Sequence, residues 1–276
     1  MNTPLLSICI PTYNGLRHLR TLVPALLAEV TAANRDGLRV ELLISDNASP
    51  DGTGAFVQSL AQPGLVYHGN PVNIGGDPNF LLCVERAHGQ YVWLFGDDDL
   101  FTPGSILRVL RALEQHHPAL LILPADSPAG SDPEPVIHAT YSDFLRQGGV
   151  SSALGHTLIT CNVVLREKFR FDRATAMRRT CYGHMFGLVD GLPPDAPVAE
   201  LADVVHLPPP DQNLARRKHW PVFLCLCVKQ AIYLWHLANV FHVRAFHWPA
   251  VRIACHLPVE IAAWSARRIL AKMQRR

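Results

Sequence analysis

Tyr91-Val92-Trp93-Leu94-Phe95-Gly96-Asp97-Asp98-Asp99 is the stretch on which the reading of this chain turns. Residues 90–95 form an apolar run rich in aromatic and β-branched side chains. It is too short for a typical globular helix and is stopped by a glycine, so it reads as a buried strand. Three adjacent carboxylates follow at its carboxyl end. A helical pattern opens from about Pro103 and an apolar strand is expected at 119–123.

Working outward, the same grammar repeats. Residues 5–10 read as a buried strand ended by Pro11, and a helix is expected over 15–32 with Leu16, Leu19, Leu22, Val23 and Leu26 on one face. Pro24 is a candidate kink in it. Residues 38–45 read as a second strand, followed by the turn-rich run Asp46-Asn47-Ala48-Ser49-Pro50-Asp51-Gly52. A short helix, a strand around 66–68, a Gly-rich loop and a helix over about 78–87 complete the half. Alternating strands and helices imply an α/β fold with a mostly parallel sheet. Ligands of such sheets bind beyond the carboxyl ends of the strands. Three polar clusters are placed there: Thr12-Tyr13-Asn14, Asp46-Asn47 and Asp97–Asp99.

Each cluster admits two readings. Three neighbouring carboxylates repel one another, and a hard divalent cation with oxygen ligands offsets that. A solvated acidic loop near a helix start would look the same. Asp46 is placed to accept hydrogen bonds from a nucleobase or ribose, or simply to close an Asx-turn. Asn73-Ile74-Gly75-Gly76-Asp77 lets backbone approach a ligand, or is a plain turn. No G-x-G-x-x-G follows the first strand and no G-x-x-x-x-G-K-[ST] occurs, which argues against dinucleotide and P-loop sites.

Taken in order, Pro11-Thr12-Tyr13-Asn14, Asp46 to Thr53, Asn73-Ile74-Gly75 with Asn79, and Tyr91 to Asp99 resemble family-2 glycosyltransferases of the GT-A fold. Within that family the Gly-Asp-Asp-Asp form is similar to bacterial enzymes that build O-antigen or capsule, including the abequosyltransferase-like group. The resemblance covers about residues 5–123 well, 141–206 loosely and the tail hardly at all. It implies inverting transfer of a hexosyl or deoxyhexosyl unit from a nucleoside-diphosphate sugar to a glycan or lipid-linked glycan acceptor, with Mn²⁺ or Mg²⁺. Carried over residue by residue, it implies donor-nucleotide contacts from Pro11, Thr12, Tyr13, Asn14, Asp46, Asn47, Asn73, Gly75, Asp97 and Asp98. It implies metal contacts from Asp97 and Asp99, with Asp99 the first choice. Gly96 departs from the commoner pattern, which has an Asp there. Many relatives take their base from a Glu-Asp pair in the second half, and none occurs here beyond residue 123. His184 in Tyr182-Gly183-His184-Met185-Phe186-Gly187 is the expected base, with Asp190 its rival.

Composition frames these expectations. Of 276 residues, 49% are hydrophobic and 17% charged, which excludes intrinsic disorder as the main state. The net charge of +2 argues against a nucleic-acid partner. It is unevenly spread: residues 1–210 carry −7, whereas 211–276 carry +9 and four of the five tryptophans. With the Pro208-Pro209-Pro210 boundary, this divides the chain into a GT-A domain over 1–210 and a basic, Trp-rich helical tail over 211–276. Residues 1–123 are expected to form the donor half of that domain and 124–210 the acceptor half. Residues 259–276 read as an amphipathic helix, so 219–276 is expected to lie on an anionic membrane surface or else to pack as a helical subdomain. Seven cysteines without a C-x-x-C pair suggest reduced, buried thiols. Together these point to a cytoplasmic protein, peripheral on the inner face of the membrane. Two rival functions share these features: a sugar nucleotidyltransferase, and a catalytically degenerate scaffold.

Overall fold

The computed structural model describes residues 3–125, 134–177, 183–206 and 232–241. The chain divides into two compact units, residues 1–144 with 155–208, and residues 145–154 with 209–276.

In the first unit, β1 (Leu6–Thr12) and β2 (Val40–Asp46) are buried at every residue, as strands covered on both faces must be. They pair in parallel, with Leu6 opposite Val40 and Thr12 opposite Asp46. β3 (Leu65–Gly69) adds to β2, and β4 (Tyr91–Leu94) adds to the other side of β1, both in parallel. The eight-stranded order is β3-β2-β1-β4-β8-β6-β9-β7. β6 is Leu120–Ile122, β7 Val136–His138, β8 Asn162–Leu165 and β9 Val198–Glu200. β8 runs antiparallel between β4 and β6, and β7 closes the far edge antiparallel to β9. β5 (Leu100–Phe101) and β10 (Val205–His206) form a separate two-stranded ribbon.

The helices follow from connection geometry. The chain steps outward from β1 to β2 to β3, then returns across β1 to β4. Right-handed crossovers in opposite directions put their helices on opposite faces. Thus α1 (Leu16–Arg35) packs with α2 (Thr53–Ser59) and α4 (Ser105–His116). α3 (Gly76–Arg86) packs with α6 (Phe171–Ala176) and α7 (Gly183–Val189). The reversal point lies between β1 and β4, where an open sheet presents its ligand crevice. α1 buries Leu19, Leu22, Val23, Leu26, Leu27, Val30 and Ala33, a stripe with the 3–4 spacing expected of it. It runs through Pro24, which stands on the exposed side.

Two expectations are corrected. Pro11 does not end β1, which continues to Thr12; as a residue inside the strand, Pro11 stays opposite Ser45. Residues near 198–206 read in the sequence as one strand between proline clusters, but form two short strands in different sheets, β9 and β10. Residues 141–206, whose sequence pattern is mixed and hard to read, hold α5 (Tyr141–Gly155, broken at Gly149), β8, α6 and α7.

In the second unit, residues 232–240 are helical, with Tyr233, Leu234 and Leu237 buried and Trp235 exposed. The amphipathic helix expected over 259–276 lies outside the described residues, as do Trp220, Trp248 and Trp264. Among the described residues, no helix is long and apolar enough to cross a membrane. Cys9, Cys83 and Cys161 are buried and lie outside any disulfide.

Candidate active site

The register of β1 and β2 sets the first contacts. Thr12 and Asp46 are partners across the ladder, and both are buried. The hydroxyl of Thr12 donates to Asp97 Oδ2 at 2.5 Å, tying the loop after β1 to the loop after β4. Asp46 uses both oxygens. Oδ1 accepts the Ser49 N–H at 3.0 Å, the Asx-turn expected of it, and Oδ2 accepts the Tyr67 hydroxyl at 2.9 Å. Burial, then the neighbouring Asp46 carboxylate, pushes the Tyr67 phenol up to about 12, so it remains a donor. An ionised carboxylate offers about four lone-pair sites, so Asp46 keeps acceptor capacity for a ligand.

Tyr13 is 48% exposed beside this pair. Asn14 adopts a left-handed conformation (φ 58°), which its short polar side chain tolerates, and its N–H donates to Ser49 Oγ at 2.9 Å. Asn47 is occupied within the fold. Its amide donates to Asn73 Oδ1 (2.8 Å) and to the Gly75 carbonyl (3.2 Å), and its oxygen accepts from the Ile74 N–H (3.0 Å) and Asn70 (3.2 Å). Asn73 in turn accepts the Gly75 N–H. Asn79, buried on α3, joins Ser45 and Asn70 below. These asparagines lash the Gly75 loop to the end of β2. Asn47, Asn73 and Gly75 therefore shape the loop beside Asp46, while Pro11 lies inside β1 opposite Ser45.

Asp97, Asp98 and Asp99 line one open cleft, whose facing wall is α1 through Arg17, His18 and Thr21. Asp97 and Asp99 have different partners, the Thr12 hydroxyl for one and the Thr160 hydroxyl for the other. Burial raises both carboxyls above the usual range, against those hydrogen bonds, and Asp98 adds like-charge repulsion. Asp98 is exposed. Among the described residues, no group of three His, Cys, Asp or Glu forms a ready cage for a metal. The donor set still fits Mg²⁺ or Mn²⁺. Such hard cations are usually held by one or two carboxylates together with phosphate oxygens of the substrate. Crowded carboxylates raised by burial and mutual repulsion are a place where a divalent charge is favourable. Gly96 leaves room for this packing: a Cβ there would meet Asp99 Oδ2 and stand 3.3 Å from Thr160 Oγ1, so a larger residue would shift the Asp99 carboxylate.

The two expected bases, His184 and Asp190, each have a partner within the fold. His184 Nε2 meets the Thr157 carbonyl at 2.9 Å and so carries the proton. Its Nδ1 is closed to solvent without a hydrogen-bond partner, beside a small apolar cavity lined by Val84, Leu94, Phe169 and Leu188. Burial pushes the ring down to about 4. Asp190 accepts from Arg173 Nε at 2.5 Å. No described contact joins either residue to Asp97–Asp99.

Sequence reasoning missed Thr160, Tyr67 and Asn70. Thr160 sits in the apolar run Leu158-Ile159-Thr160-Cys161, where a lone hydroxyl was the available signal. Tyr67 lies in a strand that reads as ordinary half-buried sheet.

The comparisons with known proteins agree with this architecture. TarS residues 1–349 from S. aureus, solved in complex with UDP-GlcNAc, superposes with a TM-score of 0.55 at 15% identity over 83% of this chain and 66% of that one. The mannosyltransferase PcManGT of Pyrobaculum calidifontis, solved with GDP-Man and Mn²⁺, gives 0.52 at 16% identity over 99% of this chain and 80% of that one. The fold is thus the GT-A fold of nucleotide-diphospho-sugar transferases. Residues 7–184 match glycosyl transferase family 2, and the chain belongs to that family. Among curated relatives, the abequosyltransferase RfbV of Salmonella typhimurium (strain LT2) is 39% identical over 105 residues, which are 37% of this chain and 30% of that protein. An uncharacterized protein of Mycobacterium tuberculosis, MT1568, is 27% identical over 111 residues, 40% of this chain and 33% of that protein. The match therefore spans about a third of the length of these curated relatives.

Proposed function

We propose that this protein is an inverting, divalent-metal-dependent glycosyltransferase. It moves a sugar from a nucleoside-diphosphate sugar to an acceptor hydroxyl in the synthesis of a bacterial surface polysaccharide such as O-antigen or capsule. The observation that carries this is the convergence of Thr12, Asp46 and Asp97–Asp99 at the carboxyl ends of β1, β2 and β4, the reversal point of the sheet. The partial match to an abequosyltransferase supports the pathway class.

In this reading Tyr13 and Asp46 take the nucleobase and ribose, with Asn14, Asn47, Asn73 and Gly75 shaping the pocket. Asp97 and Asp99 hold Mn²⁺ or Mg²⁺, and Asp98 lies beside the ribose. The metal would neutralise charge on the departing diphosphate. Inversion needs an acceptor hydroxyl to lose its proton on the face opposite the leaving group. His184 and Asp190 enter as alternative bases. For His184, geometry sets a requirement: its Nδ1 lone pair must be uncovered when acceptor binds. His184→Gln and Asp190→Asn separate them, since loss of the base abolishes turnover and leaves nucleotide binding intact. The basic, Trp-rich segment 219–276 would rest on an anionic membrane surface, which suits a lipid-linked acceptor.

The test is a thermal-shift series with UDP, CDP, GDP, ADP and dTDP, each with Mn²⁺, Mg²⁺ or EDTA. A ligand at about 100 times its Kd stabilises by ~2.7 kcal/mol. One nucleotide is expected to stabilise the wild type only with metal, and Asp99→Asn is expected to lose that shift. If no nucleotide shifts the folded protein under any metal condition, the reading gives way to a non-catalytic scaffold.

A further inference from the structure

Thr160 belongs to none of the motifs that point to the donor site, yet it is bound from three sides. It lies in a single 3₁₀ turn (Ile159–Cys161) just before β8, and it is 1% exposed. Its carbonyl accepts the indole N–H of Trp93 at 2.8 Å. Its hydroxyl oxygen accepts the Gly96 N–H at 2.8 Å. The same hydroxyl makes a short hydrogen bond to Asp99 Oδ2. A hydroxyl has one proton and two lone pairs. With a lone pair taken by Gly96, the proton goes to the carboxylate. Donor and acceptor roles are thereby fixed, and Oδ2 of Asp99 is held at the Thr160 hydroxyl.

We propose that Thr160 is a positioning residue that holds the Asp99 carboxylate in the orientation needed to bind a divalent cation with the donor diphosphate. This deepens the transferase reading and rests on it. The antiparallel insertion of β8 beside β4 acquires a purpose: it brings a hydroxyl 61 residues away in sequence under the acidic loop. The turn that carries Thr160 is anchored on its own side. The Asn162 amide donates to the carbonyls of His156 (2.6 Å) and Leu158 (3.1 Å), and His184 holds that of Thr157. Gly96 is the other half of the device. Its N–H orients the Thr160 hydroxyl, and its missing Cβ leaves the room in which Asp99 Oδ2 meets that hydroxyl. A chain with Asp at position 96 could not make this contact without moving the carboxylate.

Partners that orient a metal ligand typically change metal affinity by about 10–100-fold when removed. The experiment is a Mn²⁺ titration followed by electron paramagnetic resonance. It uses the nucleoside diphosphate that gives the wild type its largest thermal shift. Thr160→Val, Thr160→Ser, Gly96→Ala and Asp99→Asn are compared with wild type. Thr160→Val and Gly96→Ala are expected to weaken Mn²⁺ binding by at least about tenfold. Thr160→Ser keeps the hydroxyl and is expected to retain wild-type binding, which a purely structural role for the threonine methyl group would not predict. Binding by Thr160→Val equal to wild type, with Asp99→Asn defective, overturns the proposal and leaves the transferase reading standing. Absence of metal-dependent binding in the wild type, or full binding by Asp99→Asn, overturns both. Should Thr160→Val fail to fold, Thr160→Ala and Gly96→Ala decide the matter by the same criteria.

Discussion

Asp46 shows how one side chain serves structure and site together. Its Asx-turn with Ser49 shapes the loop, and Tyr67 fixes its second oxygen, so the carboxylate is aimed before any ligand arrives. Tyr67→Phe removes that donor. A net loss of about 1 kcal/mol, or fivefold in nucleoside-diphosphate affinity, is expected by calorimetric titration, with little change in melting temperature. Ala48, two residues on, holds φ 62°, a conformation costly for a side chain with a Cβ. Ala48→Gly is expected to raise stability by ~0.5–1 kcal/mol in urea denaturation, strain relief outweighing the added chain entropy. The residue types in these loops were legible because acids and amides at strand ends are unusual wherever they occur. Their partners were not. Tyr67 and Thr160 are separated from Asp46 and Asp99 by 21 and 61 residues, and nothing local marks them.

At the scale of elements, α1 and α4 are joined by a cap that neither supplies alone. Glu29 on α1 accepts the N–H groups of Gly104 (2.6 Å) and Ile106 (3.1 Å) at the start of α4. These are donors that a helix terminus otherwise leaves unpaired. Glu29→Gln should retain part of the cap and Glu29→Ala should lose it, at a cost of about 1 kcal/mol in the denaturation midpoint. Asp51 does the same for α1 through the Leu16 N–H at 3.1 Å. Through residue 123 the longer elements were readable, β1, β2 and β4 as mainly apolar runs and α1 and α4 from stripes of 3–4 spacing, whereas the two-residue β5 was not. β8 was harder. Asn162-Val163-Val164-Leu165 is only four residues long, and its direction in the sheet is set by neighbours rather than by composition.

For the molecule as a whole, pH offers a direct probe of packing. His156 is almost fully buried, with Nε2 on the Tyr141 hydroxyl (2.8 Å) and Nδ1 on Asn162 Oδ1 (2.9 Å). Burial lowers its pKa to about 4, as it does that of His184. Between about pH 6.5 and 4 the unfolded chain binds more protons at these sites than the folded one, so their contribution is full above pH 6.5 and falls as acid is added. For His156 the loss is on the order of 3 kcal/mol. Asp97 and Asp99, raised in the fold, act in the opposite sense. The readout is therefore a comparison: His156→Gln should flatten the fall in melting temperature between pH 6.5 and 4 relative to wild type. The charge asymmetry yields a second prediction. The full chain should sediment with phosphatidylglycerol vesicles at low salt and be released at high salt, because a +9 segment is held there by screened attraction.

What the amino-acid order determined by itself was the alternation of strand and helix, the parallel pairing of strands β1 to β4 that follows from it, and the polar clusters at the strand ends. These depend on periodicity and on residue chemistry within windows of ten or so positions. Only the tertiary structure decided that Thr12 would grip Asp97, that Thr160 would grip Asp99 through the space left by Gly96, and that His184 would face a carbonyl and an apolar cavity. Those outcomes depend on which distant segments the sheet makes neighbours. That is set by strand order and crossover handedness, and side-chain packing then fixes the last ångström.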